Sequence, residues 1–545
     1  VIAAKQETST QPKYETSEEA IMTIELTDFS PPGPVPLNEA VLRLTPQDNV
    51  AVALSALRPG TVLVPADAVQ GSIPVRQFIP TGHKIALQDV ATDAPIFRYG
   101  QIIGFASEPI TAGDHVHTHN VAVHPIDHDD LALSAAGPVD IVPEAQRRTF
   151  QGFKRETGRV GTRNTIAVIS TVNCSAHTCR EIAAHFTPER LKAYPTVDGV
   201  IPIVHTLGCA DRVGSPNYTL LQRTLAGIAR HPNVAGSVIV GLGCEVNQGS
   251  ELVANFDLNG EDSAFLSIQD SGGVRKTVAA GIAAVERLLD RAGAYQRSPQ
   301  PISELMVALQ CGGSDSWSGV TANPLIGRVS DELVRQGGTT VLAEVPEVYG
   351  AEHLLAQRAV DRSVARKLLE KIEWWQAHTA MFGLEINNNP STGNKAGGLT
   401  TIYEKSLGAV TKGGSTPLVA VYDYAEPVQA RGLVLMNTPG YDPVAVTGQV
   451  AGGCNIILFS TGRGSAFGFA PAPSIKIATN TRIFEHMRDD MDFNAGSILD
   501  GADPESRAAD LLDLLIAVAS GQPSKSEAQG IGACEFVPWM QAGVL

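Results

Sequence analysis

Three histidines alternate in the run His115-Val-His117-Thr-His119-Asn120, and on an extended strand their imidazoles would share one face. Imidazole suits iron, manganese or zinc, so His115, His117 and His119 read as a metal-ligating face. The plain alternative is the solvated edge of an ordinary alternating strand. His117 and His119 also qualify as acid–base groups, with His83, at the Thr81-Gly82 turn, and His205, after a strand candidate, as second choices. A second constellation is made of sulfur. Cys174, Cys209, Cys244 and Cys311 each follow a strand candidate, where a ligand crevice and a helix N-terminus favour thiolate. They form the alternative ligand set, for iron or an iron–sulfur cluster, against the bland reading of cysteine as a small buried hydrophobe. Cys179, Cys454 and Cys534 lack this context.

Glycine-rich loops supply the third class of chemistry. Cys311–Gly319, Asn389–Gly398 and Ser460–Ser465 have polar tips whose backbone amides can cradle an anion. Lys395 and Arg463 would pair with a carboxylate, and Asn394, Ser314 and Asp315 would bind the rest of the same substrate. No loop matches the dinucleotide fingerprint or a phosphate loop.

The elements that must position these residues follow from composition and pattern. The chain has 545 residues, 43% hydrophobic and 18% charged, enough apolar material for several cores. Its 41 basic and 57 acidic residues give a net charge of −16, which opposes a nucleic-acid partner. No apolar run approaches the length of a membrane span, so no membrane partner is expected. Residues 1–36 read as a disordered leader ending in the stiff Ser30–Pro36 segment, with an alternative start at Met22 left open. Residues 37–123 read as a small β-rich domain and 124–149 as a linker. Strands then alternate with helices, the mark of an α/β fold with parallel sheets, as a first domain over 150–300 and a second over 301–545. A cytoplasmic enzyme is expected, and a homo-oligomer is compatible with this reading.

Several of these segments together resemble the altronate/galactarate dehydratase family, nearest its altronate branch. They are His115–Asn120, Gly241-Leu-Gly-Cys-Glu245, Gln310–Asp315, Ser318–Pro324, Asn389–Gly398, Ser460–Gly464, Ile475–Asn480 and Asn494–Gly496. The resemblance implies an N-terminal SAF-type domain over 37–123 and a lyase dependent on Fe²⁺ or Mn²⁺. It implies a small-molecule sugar acid as substrate: a hexonate, D-altronate first, losing water to give 2-keto-3-deoxy-D-gluconate by metal-assisted removal of the C2 proton. Galactarate, another hexarate or a related hydroxy-acid elimination such as loss of sulfite stays open, as does a non-catalytic sugar-acid binding protein.

Overall fold

The computed structural model describes residues 33–66, 71–125 and 137–541. Residues 1–32 of the expected leader lie outside the described residues. Pro34–Pro36 does not belong to a leader: proline holds it extended, and it pairs in parallel with Val62–Val64.

The chain divides into two compact units. The first, ending at Gly100 and resuming over Ala106–Asn120, is built of short strands. Val50–Ala53 pairs antiparallel with Val41–Leu42 and Lys84–Ala86, and Lys84–Ala86 pairs with His115–Val116. Alternation of small and β-branched residues turns Val41, Ala51, Ala53, Leu63, Ile79 and Ile85 into one core. That packing fixes the register of Ile85 against His115, and so brings His83 beside the histidine run.

The second unit contains two parallel sheets. In the first, β1 (Thr165–Ser170), β2 (Gly199–Ile203), β3 (Val234–Gly241) and β4 (Ser263–Ser267) lie in the order β2-β1-β3-β4. Their apolar runs are buried, as parallel strands require. Helices α1 (Ala176–Ala184) and α3 (Val274–Ala294) pack Ile182, Val285, Leu288 and Leu289 against Ile166, Val168, Val238 and Val240. Between them, α2 (Pro216–Ala229) starts where Ser215 caps the Tyr218 amide and Pro216 pre-sets the first turn.

The second sheet has seven strands: β5 (Met306–Cys311), β6 (Thr339–Leu342), β7 (Leu418–Tyr422), β8 (Gly432–Met436), β9 (Ile456–Thr461), β10 (Ser474–Ala478) and β11 (Phe493–Asn494). Their order is β7-β8-β6-β5-β9-β10-β11. The chain leaves β5 toward β6 on one side and later crosses to β9 on the other. The crevice at the carboxyl ends of β5 and β9 is therefore a topological switch point. Helices α4 (Ala322–Arg335), α5 (Arg362–Met381), α6 (Ile402–Val410), α7 (Asp442–Ala451) and α8 (Pro504–Ala519) connect or follow these strands. No helix among the described residues is long and apolar enough to cross a membrane.

Buried amides and an imidazole tie the two sheets together. Asn233, ahead of β3, donates to Asn455 O at 3.1 Å, and Asn455 donates to Val160 O at 3.0 Å. His231 binds Cys454 O through Nε2 at 3.0 Å and accepts the Asn233 amide on Nδ1 at 3.1 Å. Burial, then the nearby Arg159, lowers its pKa to about 3. An imidazole held neutral in the fold contributes stability that is complete above its ordinary pKa of 6.5 and is lost as the pH falls below it, by about 1.4 kcal/mol per pH unit. The urea midpoint should therefore drop between pH 6.5 and 5, and His231→Gln should flatten that slope. Identical slopes in the two proteins would contradict the assignment.

Candidate active site

The strand carrying the histidine run ends at Val116, so the expected three-residue face does not form. Asn120 stops it: its side chain accepts the His117 amide at 2.9 Å and donates to His115 O at 3.0 Å, folding the segment into a turn. The turn stacks the His115 and His117 rings at 5.3 Å and sets His83 within 3.0 Å of His115, Nδ1 to Nε2. His119 is left exposed, its ring 5.5 Å from that of His115. The ligand atoms that converge are those of His83, His115 and His117, all within 4.8 Å of one another. Burial, helped by His83, His117, His119 and Lys84, lowers the His115 pKa to about 2. A neutral imidazole is the form that ligates a metal, so this trio fits a divalent ion.

His205 is a different case. Its Nε2 binds Ser170 O at 2.9 Å and its Nδ1 accepts the Leu207 amide at 3.1 Å, tying β1 to the loop after β2. Burial lowers its pKa to about 4. Both ring nitrogens are spent on backbone, which leaves neither for proton transfer.

The four cysteines do not share one sheet. Cys174, Cys209 and Cys244 follow β1, β2 and β3, whereas Cys311 ends β5 in the other sheet. Sequence order alone does not reveal which sheet a strand joins.

The three glycine-rich loops do converge, at the switch point. Gly312 donates to Ser460 O at 3.0 Å, and Gly462 and Arg463 both donate to Gly313 O, at 3.1 and 2.8 Å. Ser316 donates to Gly397 O at 2.9 Å, and Asn394 donates to Ser314 O at 2.8 Å. The knot is the buried Asp315 carboxylate. It accepts from the Trp317 and Ser318 amides, from the Ser318 and Thr479 hydroxyls and from the Asn480 amide, at 2.9 to 3.2 Å. Asp315 and Asn394 thus brace the loops, with their polar atoms already engaged. Ser314 Oγ and Thr461 Oγ1, both buried, have no hydrogen-bond partner among the described residues. Lys395 is half-buried and Arg463 exposed, and among the described residues neither has an ion-pair partner. Two cations on these converging loops can hold a carboxylate.

Behind Gly312 lies a buried ionisable cluster that the sequence reading missed. Lys405 Nζ binds Glu347 at 2.7 Å and Asn389 Oδ1 at 2.9 Å, and Asn389 donates back to Glu347 at 2.9 Å. Lys412 Nζ lies 2.8 Å from Cys311 Sγ and 3.8 Å from Glu344. Glu344 sits in the left-handed region at φ 64°, strain that a site must hold in place. Burial and the neighbouring Glu347 push its carboxyl well above the ordinary range, with Lys412 and Lys405 pulling the other way. Asp442, at the first turn of α7, is pushed up to about 6 by burial and by Glu347, with Lys405 and Lys412 pulling the other way. It packs against Gly312, where an added Cβ would lie 2.4 Å from its Oδ2. Cys311, Glu344 and Glu347 also place ligand atoms within 4.8 Å of one another. The ammonium groups of Lys405 and Lys412 already supply positive charge there, so this group does not suit a second cation. The sequence carries no clear signal of it: Lys405 follows Glu404 in a stretch that also holds Ser406 and Thr411, as an exposed helix would.

Gly462 tests the knot. A Cβ there would lie 2.1 Å from Asp315 Cγ, and the buried carboxylate cannot retreat. Gly462→Ala should cost about 1–3 kcal/mol in denaturant unfolding. Gly199→Ala, with nothing within 4 Å of its new methyl group, should not. Equal midpoints for the two variants would contradict this packing.

Family signatures match three stretches of the chain: an altronate/galactarate dehydratase SAF domain over 39–124, the second domain of D-galactarate dehydratase/altronate hydrolase over 152–293, and the C-terminal region of D-galactarate/altronate dehydratase over 302–544. The altronate dehydratase of Bacillus subtilis (strain 168) is 38% identical, covering 89% of this chain and 96% of its own. That of Escherichia coli (strain K12) is 37% identical over 88% and 95%. The galactarate dehydratase (L-threo-forming) of Escherichia coli (strain K12) is 36% identical over 87% and 92%.

Proposed function

The chain belongs to the altronate/galactarate dehydratase family and is a hydro-lyase of the altronate dehydratase type, and we propose that it removes water from a hexonate, D-altronate first, to give 2-keto-3-deoxy-D-gluconate. The observation that carries this reading is that Lys395 and Arg463, unpaired among the described residues, stand at loops that adjoin the buried acid–base cluster.

The chemistry sets clear demands. A proton at C2 is poorly acidic while the adjoining carboxylate is ionised, and the C3 hydroxyl is a poor leaving group. Lys395 and Arg463 hold the carboxylate and offset the charge that builds on it as C2 loses its proton. Asp442, with its pKa near 6, accepts that proton. Glu344, kept protonated, delivers one to the departing hydroxyl, and Lys412 keeps the resulting carboxylate paired. The enol so released tautomerises to the 2-keto acid. His83, His115 and His117 would hold the Fe²⁺ or Mn²⁺ ion expected of the family, which as a Lewis acid polarises an oxygen ligand when bound.

Turnover of D-altronate with Fe²⁺ to a 2-keto-3-deoxy acid is the expected result, and silence on every hexonate and hexarate would refute the proposal. A second reading, galactarate as substrate, draws on the two cations, which suit a dicarboxylate; side-by-side kcat/KM values decide between them. Asp442→Asn should lower kcat by about 10²–10⁴-fold, while Arg463→Ala should act mainly on KM. In the parent enzyme, kcat/KM should rise with pH through about 6, as Asp442 loses its proton. A flat profile there would assign the base elsewhere.

A further inference from the structure

The loops after β1, β2 and β3 carry three thiols that the proposed reaction does not use. Cys174, Cys209 and Cys244 are free and exposed, although cysteine ordinarily prefers the interior, as Cys179, Cys311 and Cys454 do here. The three strands are neighbours, in the order β2-β1-β3, so at about 4.8 Å per strand the loops open within ~10 Å of one another.

The loops are also bound to each other next to each cysteine. Asn173 donates its amide to Leu207 O, and Asn247 donates its amide to Gly208 O, both at 3.0 Å. The Asn247 side chain donates to Thr171 O at 2.8 Å, and Thr171 Oγ1 donates to Glu245 at 2.7 Å. Glu245, buried, accepts the Gly243 amide at 2.6 Å and so holds the turn that presents Cys244. Gly208 packs so closely that a Cβ there would lie 2.3 Å from Thr171 O. Such bracing fixes three thiols around the Thr171–Asn173 segment without burying them.

We infer that Cys174, Cys209 and Cys244 hold an iron–sulfur cluster in which one iron lacks a thiolate and is open to an oxygen ligand. Thiolates on one tetrahedral ion, each about 2.3 Å from it, stand roughly 3.8 Å apart. These three sulfurs are not among the groups of the described residues whose ligand atoms lie within 4.8 Å, which disfavours a single shared ion; a multi-iron cluster takes its thiolates at a wider spacing. Cys311 belongs to the other sheet and faces Lys412, so it does not complete a set of four. Two further groups at this edge fit the assignment. Gln269 donates to Cys244 Sγ at 3.4 Å, the kind of bond to sulfur that tunes a cluster. Asn247 Oδ1 is buried with no hydrogen-bond partner among the described residues, an acceptor available to a hydroxyl on the ligand.

The test uses the full chain, purified anaerobically and reconstituted with ferrous iron and sulfide. Iron and acid-labile sulfide in near-equal amounts, with visible charge-transfer absorption, are expected. Cys174→Ser, Cys209→Ser and Cys244→Ser should each lose most of the sulfide while keeping the melting temperature of the parent before reconstitution. Cys534→Ser and His83→Ala should keep it. A small hydroxy acid such as lactate should shift the electron paramagnetic resonance spectrum of the reduced cluster; no shift would remove the open iron from the proposal. Iron without sulfide in the parent chain, or parent-level sulfide in all three serine variants, would overturn the cluster. None of these readouts needs turnover, so a cluster in a chain inactive on every sugar acid would refute only the proposed function.

Discussion

The buried carboxylate of Asp315 is the constraint on which the switch-point crevice depends. Parallel strands deliver their loops to one edge but do nothing to hold them together. Here one side chain gathers donors from its own turn, at Trp317 and Ser318, and from the segment after β10, at Thr479 and Asn480. Removing such a charge from water costs several kcal/mol unless its lone pairs are met, so the loops close as a set or not at all. Glycines at 397 and 462 follow from this, because a side chain at either would strike Asp315. The glycine-rich character of the loops is a packing requirement before it is an anion-binding one.

Charge is organised in depth from that knot. At the mouth stand Lys395 and Arg463, unpaired among the described residues. Behind Gly312, two lysines share the buried space with three carboxyls and a thiol. Two ammonium groups cannot balance three ionised acids: Glu347 is held toward its charged form beside Lys405, while Glu344 is pushed toward its acid form. The same field leaves Asp442 intermediate. Environments that push neighbouring acids apart in this way are what acid–base chemistry at neutral pH uses.

Much of the architecture was legible in the sequence because it rests on local patterns. Runs such as Thr165–Ser170 and Asn455–Phe459 are apolar and strand-length, and helical spacing over Arg275–Ala294 matches a helix observed over Val274–Ala294. The three polar-tipped loops were legible for the same reason. The histidine run was misread because alternation says nothing of where a strand stops, and Asn120 stops it early. His83, 32 residues away, joins through strand register. The buried cluster was illegible because its pairs lie 58 and 101 residues apart, joining Glu347 to Lys405 and Cys311 to Lys412. Such charges look like surface residues until the fold encloses them.

The crevice at the carboxyl ends of β5 and β9 as the sugar-acid site is the claim on which the functional reading stands. A crystal structure of Asp442→Asn with D-altronate bound tests it most directly. The substrate carboxylate should lie between Lys395 and Arg463, with C2 facing residue 442 and the C3 hydroxyl toward Glu344. A hexonate ordered elsewhere in the molecule, with this crevice holding only water, would contradict it.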